Sequence, residues 1–146
     1  MIEFVIPGQP VGKGRPRIGK AGLHARMFTP AKTVNYESLV ALAAQRAMIG
    51  LDRLEGAVSV TLDIVCQIPV SWSARKKKHA ADGLVFPTTK PDIDNVEKAI
   101  FDGLNGVAWK DDVQVVWVAK GKRYGTTPRV VVTIRQIVAA YPGAQS

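Results

Sequence analysis

Between Ala57 and Ile68 the chain alternates, with Val58, Val60, Leu62 and Ile64 apolar and Ser59, Thr61 and Asp63 polar between them. Successive side chains of a strand point to opposite faces, so this pattern fits a strand whose sheet is covered on one side and wet on the other. Pro69 ends it. Such a sheet needs helices to cover its apolar face, and two stretches supply the 3.6-residue period. From Ala31 or Thr33 to Met48, Tyr36, Leu39, Val40, Ala43, Ala44 and Ala47 fall on one side. From Asp92 to Asn105, Ile93, Val96, Ala99, Ile100 and Leu104 do the same. Gly50 and Gly106 stand where each helix should stop.

Residues 2–6 read as a short strand, followed by a Gly/Pro-rich basic loop that runs irregularly to about Pro30. Ser71 or Ser73 caps a short helix carrying Arg75, Lys76, Lys77 and Lys78. Residues 83–91 read as loop. Val113–Lys120 and Arg129–Ile137 alternate as two more strands, with Gly121–Pro128 as the basic turn between them. The order β–loop–α–β–α–β–β predicts an α/β (α+β) fold: one compact domain with a small mixed sheet packed by two main helices. That domain is expected over 1–138, with 139–146 as a mobile tail. A chain of 146 residues that is 47% hydrophobic can build a core without covalent staples. Cys66 is the lone cysteine, excludes an intrachain disulfide, and reads as a buried thiol in a reducing compartment. The N-terminus lacks a signal-peptide pattern, and no apolar run approaches the ~20 residues of a membrane span. A cytoplasmic protein without a membrane partner is expected.

The net charge is +8, which favours a polyanionic partner. Basic residues gather in three places: Lys13, Arg15, Arg17, Lys20 and Arg26; Arg75 to Lys78; and Lys120, Lys122 and Arg123. Acidic residues form one knot, Asp92, Asp94, Glu97, Asp102, Asp111 and Asp112, which holds half of the twelve acids. A phosphate-binding surface tolerates such a knot when cations neutralise it, and this points to metal.

Pro91 disfavours helical geometry at Lys90, so the chain enters its helix at Asp92 or Asp94. Both aspartates could serve as helix caps, although one would suffice. With Ile93 turned to the core, an extended entry sends both carboxylates to solvent. Lys98, four residues after Asp94, is either half of an ordinary ion pair on the helix surface or a cation held beside a bound phosphate. Asp111 and Asp112 precede the Val113 strand, where they could simply make a turn. A short loop from helix to strand is also expected to bring Asp112 back beside the helix that carries the first pair. Three carboxylates would suit Mg²⁺ or Mn²⁺ and fit zinc poorly. His24 and His79 offer no metal-ligand spacing. Trp109 and Trp117 read as core or dimer-interface residues, and Trp72, in a polar surround, as the one of the three tryptophans that touches DNA or a partner.

In combination, Asp92-x-Asp94-Asn95-x-x-Lys98, Phe101-Asp102-Gly103-Leu104 and Trp109-x-Asp111-Asp112-x-Gln114-Val115-Val116 resemble the RusA family of Holliday junction resolvases. Gly12-Lys-Gly-Arg-Pro-Arg17 and Phe28-Thr-Pro-x-Lys-Thr33, with Tyr36-Glu37, resemble its phage members. The likeness runs from residue 2 to about 135, and only the Arg75–Lys78 segment and the loop to Pro91 look expanded. It implies a homodimeric, Mg²⁺-dependent endonuclease that cuts four-way DNA junctions in recombination and repair. Asp92, Asp94 and Asp112 match the family's metal-binding aspartates, with Asp111 as the alternative to Asp112, and Lys98 matches its essential lysine.

On this reading metal-bound water hydrolyses a phosphodiester, and Lys98 stabilises the charge that develops. Lys13, Arg15, Arg17 and Arg75 to Lys78 hold the DNA arms through phosphates. The competing expectations are a non-catalytic DNA-binding or architectural protein, which leaves the acidic knot without a purpose, and a nuclease acting on flaps, forks or structured RNA.

Overall fold

The computed structural model describes residues 1–14, 17–19, 26–28 and 30–138. The elements run β1 (Ile2–Pro7), β2 (Arg17–Gly19), β3 (Arg26–Phe28), α1 (Ala31–Ala47), β4 (Val58–Gln67), α2 (Ala74–Ala81), α3 (Ile93–Leu104), a 3-10 turn (Asp112–Gln114), β5 (Val115–Gly125) and β6 (Arg129–Gln136). One mixed sheet has the order β1-β6-β4-β5. In it β6 runs antiparallel to both β1 and β4, whereas β4 and β5 run parallel. The architecture is the α+β domain expected from the alternation and the two helical stripes. No helix among the described residues is long and apolar enough to cross a membrane.

The apolar half of each alternating strand makes the core. Val58, Val60, Leu62 and Ile64 of β4 meet Val130, Val132 and Ile134 of β6 and Ile2, Phe4 and Ile6 of β1, all buried. Tyr36, Val40 and Ala44 of α1 and Val96, Ile100 and Leu104 of α3 close over that face in the same cluster. Full burial of each such aliphatic side chain favours folding by roughly 1.5–3 kcal/mol. The helices approach closely at Gly103, where a Cβ would lie 2.8 Å from the Glu37 carbonyl oxygen. That approach sets Glu37 and Asp102 within reach of one cation, as described below.

Two local expectations need correction. Residues 8–30 are not irregular throughout, since β2 and β3 pair antiparallel. The expected turn at Gly121–Pro128 is shorter, because β5 stays paired with β4 as far as Gly125. Lys120 and Lys122 break the apolar alternation on the helix-facing side, yet polar partners on α3 and the segment before it satisfy them and the ladder continues. In the sheet β4 lies between β5 and β6. The crossing passes so close to β4 that a Cβ on Gly125 would lie 2.4 Å from Val65 Cγ1.

Candidate active site

Asp92 occupies the N-cap place of α3 in extended geometry, but its carboxylate makes no capping hydrogen bond. The cap explanation therefore does not account for this side chain. Asn95 Nδ2 reaches Asp92 Oδ2 at only 3.5 Å. Asp94 stands in the first helical turn with its side chain 89% exposed, and Ile93 between the two is half-buried against the core. The entry thus sends both carboxylates to solvent, at the helix end where the dipole favours negative charge.

Basic segments that are far apart in sequence meet around this helix head. The N-terminal loop is tied down stepwise: Gly8 N–H donates to the Pro128 carbonyl, Gln67 N–H to Gln9 Oε1, Lys13 N–H to the Asn95 carbonyl and Gly14 N–H to Thr33 Oγ1. The loop therefore crosses from the end of β4 to the first turn of α3. From β5, Lys122 Nζ donates to the carbonyls of Thr89 (2.8 Å) and Pro91 (3.0 Å), just before Asp92. Ser73 Oγ caps α2 by accepting from Lys76 N–H, and α2 joins the same end of the sheet through Trp72, which packs edge-on against Tyr124 of β5. Arg75, Lys76 and Lys78 are exposed and Lys77 half-buried. Arg15 and the side chain of Arg17 lie outside the described residues, as do His24 and the 139–146 tail.

Lys120 is the closest cation to Asp94. Its Nζ lies 2.8 Å from Asp94 Oδ1 and 3.3 Å from Glu97 Oε1. The hydrogen bond from Lys120 holds the Asp94 carboxyl below its ordinary value, and the same bond raises the Lys120 ammonium. Lys98 does not pair with Asp94. Its side chain is 63% exposed and leans to Asp102 Oδ2 at 3.7 Å. Asp102 in turn lies 3.0 Å from Lys13 Nζ, which also pairs with Glu37. Burial pulls the Lys13 ammonium down, but hydrogen bonds to Glu37 and Asp102 outweigh it and hold the group above its ordinary value. Lys13 thus clamps the loop onto α1 and α3 and does not point freely at solvent.

Asp112 lies elsewhere. The α3 helix runs antiparallel to β5, so its head meets Lys120 and Lys122 while its tail meets the turn before Val115. There the buried Trp109 indole donates to Asn105 Oδ1 at 2.7 Å. Gln114 Oε1 accepts from Lys110 N–H and Asp111 N–H, and its Nε2 donates to the carbonyls of Leu54 and Gly56. Asp111 caps the 3-10 turn by accepting from Val113 N–H, which leaves Asp112 as the acid of the pair without a capping role. The five strand steps from Val115 to Lys120 span roughly 17 Å. Among the described residues no three carboxylate, imidazole or thiol groups share a place fit for a metal ion. Within one chain, Asp112 thus stands by the tail of α3 and Asp92 and Asp94 at its head.

Other assignments sort by burial. Cys66 is buried, and burial pushes its thiol up. Trp109 is fully buried, as a core residue should be. Trp72 packs on Tyr124 with Lys76 over its ring at 3.9 Å, while Trp117 is 56% exposed. A β-bulge between Val58 and Ser59 shifts the register here, so that Trp117 pairs with Ser59. Lys120, Asp102 and Gln114 are the site-forming residues that no helical or strand period singles out.

The chain is 40% identical over 140 residues to the protein YqaN of Bacillus subtilis (strain 168), a match covering 94% of this chain and 98% of that one. The model of the endodeoxyribonuclease RusA family matches residues 7–135, from the N-terminal loop through the head of α3 to the last strand. The chain belongs to the RusA endodeoxyribonuclease family.

Proposed function

We propose that this protein is a divalent-metal-dependent endonuclease that cleaves phosphodiesters at four-way DNA junctions, acting as a homodimer. The observation that carries the reading is the pair of exposed carboxylates, Asp92 and Asp94, surrounded at one end of the sheet by the anchored basic loop, α2 and the β5 lysines. A surface built only to hold DNA gains nothing from negative charge at its centre. Mg²⁺, or Mn²⁺ in its place, is the proposed ion, and Asp92 and Asp94 supply hard oxygen ligands for it.

In hydrolysis a bond forms between a water oxygen and phosphorus, and one ester P–O bond breaks. The chain's contribution is placement and charge. Lys98, exposed one helical turn beyond Asp94, offsets negative charge growing on the phosphate. The hydrogen bond from Lys120 holds the Asp94 carboxyl below its ordinary value. Arg75, Lys76, Lys77 and Lys78, with Arg15 and Arg17, bind phosphates and recognise the shape of the arms more than their sequence. Lys13 acts in this scheme by fixing the loop.

The test is cleavage of an end-labelled four-way junction by purified protein with Mg²⁺ or with chelator, beside flap, fork, linear duplex and structured RNA. Junction cleavage that needs the ion and disappears in Asp94→Asn, with junction binding retained or tighter, supports the proposal. Retained cleavage in Asp94→Asn removes that carboxylate from the site. Binding without cleavage by the unmodified protein supports an architectural role, and preference for flaps, forks or RNA reassigns the substrate.

A further inference from the structure

We infer that Leu84 and Phe86 form an apolar wedge that contacts unstacked bases where the arms of a branched DNA meet. The inference rests on the junction reading above and deepens it by naming side chains that recognise the branch point. Single apolar side chains on a surface need no explanation, but these two stand as a pair. Leu84 is 69% exposed and Phe86 64%. Val85 between them packs against the core, and Pro87 after them is buried. The inward residues anchor the segment, and the outward ones contribute little to the core.

The pair is held in place from both ends. Gly83 N–H donates to the Ala80 carbonyl and Leu84 N–H to the His79 carbonyl, which fixes Leu84 to the last turn of α2. That turn uses a φ of +80° at Gly83, a conformation glycine adopts without strain. Downstream, Lys122 Nζ holds the carbonyls of Thr89 and Pro91. Phe86 stands six residues before Asp92. Its backbone therefore lies within about 20 Å of that of Asp92. The wedge is presented on a fixed frame, within roughly six base steps of the proposed site of cleavage.

Charge selects the partner. From residue 72 to residue 91 the chain carries Arg75, Lys76, Lys77, Lys78 and Lys90 against one acid, Asp82. Of these cations only Lys77 is half-buried, and the rest are exposed. Such a surface draws a polyanion, and a polyanion with flat apolar faces to offer is a nucleic acid. In a continuous duplex those faces are stacked on one another and out of reach. At a branch point the stacking is interrupted, so an aromatic ring beside an aliphatic chain gains contacts there that linear DNA does not give. The lysines hold any DNA through its phosphates, and the wedge adds the preference for a branched form.

Fluorescence of 2-aminopurine provides the test, read in chelator so that no cleavage intervenes. Wild-type protein is expected to brighten the probe at the branch point of a four-way junction and to leave it dim in the middle of an arm. Leu84→Ser/Phe86→Ser loses that signal and binds the junction about tenfold more weakly, because base–aromatic stacking is gone. Its affinity for linear duplex changes far less. Both side chains are exposed, so the double variant keeps the wild-type far-UV spectrum and melting temperature. Phe86→Tyr, which keeps an aromatic face, keeps the branch-point signal. A double variant that binds and brightens the junction like wild type overturns the inference. Equal weakening on junction and duplex overturns it too, since the pair would then serve DNA of any shape. A change of oligomer mass in the double variant, read by light scattering, would assign the pair to an interface between copies and overturn it likewise. Wild-type protein that brightens the probe in chelator yet leaves junctions uncut with Mg²⁺ supports the wedge and counts against the proposed activity. Junctions cut by wild-type protein with no brightening at the branch point overturn the wedge alone.

Discussion

The ammonium of Lys120, on the edge strand, lies 2.8 Å from Asp94 Oδ1 at the head of α3. This contact between two elements holds one carboxyl of the candidate site below its ordinary value. Lys120→Met removes the contact while leaving the strand ladder in place. Carboxyl-detected NMR titration of the variant is expected to show Asp94 moving up towards the ordinary aspartate value of about 3.9. The sign follows from the lost cation, which favoured the ionised form. Asp94 titrating identically in both proteins would show that the two side chains do not meet in solution.

Lys98 is tested by kinetics. It is exposed and holds only a long contact to Asp102, so its removal should disturb folding little. Loss of one preorganised charge at a reacting phosphate costs about 10²–10³-fold in rate. Lys98→Ala is therefore expected to lose cleavage by that factor in single-turnover assays, with junction affinity changed far less. Equal losses in affinity and rate would make Lys98 an ordinary DNA contact.

Local periods revealed the scaffold and missed the side-chain partnerships. The alternation of β4 and the Ile93–Leu104 stripe of α3 were legible because burial of one face enforces them residue by residue. The reach of β5 was not, because Lys120 and Lys122 look like a turn until Asp94, Glu97 and two carbonyls are known to face them. Asp92 and Asp94 were legible as exposed acids from their place around Ile93. The return of the chain beside α3 was also legible, but a short loop brings Asp112 to the tail of an antiparallel helix, and the first two aspartates sit at its head. Spacing alone does not say which end of a helix a returning strand meets. The ties from Lys13 to Glu37 and Asp102 depend on the α1–α3 approach, a tertiary contact that neither helix declares by itself.

That approach makes Gly103 a stability probe. In an exposed helix, Gly→Ala gains about 0.5–1 kcal/mol from reduced backbone freedom. Here the added Cβ would meet the Glu37 carbonyl oxygen at 2.8 Å and Val40 Cβ at 2.9 Å, so α1 and α3 must separate. Overpacking of this kind costs about 1–3 kcal/mol, which exceeds the propensity gain. Gly103→Ala is expected to lower the melting temperature in calorimetry. A rise would mean that the helices give way easily and that helix propensity decides.

Lys13 predicts a pH dependence of stability. Its folded-state value lies above the ordinary 10.5, because Glu37 and Asp102 together outweigh burial. A raised value means that the stabilisation is complete below the unfolded-state pKa and disappears as pH rises through the folded-state value. Lys13→Met leaves two partly buried acids without their shared cation, at a cost of about 1–2 kcal/mol near neutral pH. Denaturant melts at pH 7 should therefore show wild type more stable than Lys13→Met, and that gap should narrow as pH is taken above 10.5. The same variant frees the loop from the Asp102 side of its anchor, so proteolysis within residues 8–30 should accelerate at pH 7. A stability gap that stays constant through the alkaline range would show that packing of the Lys13 chain, and not its charge, holds the loop in place.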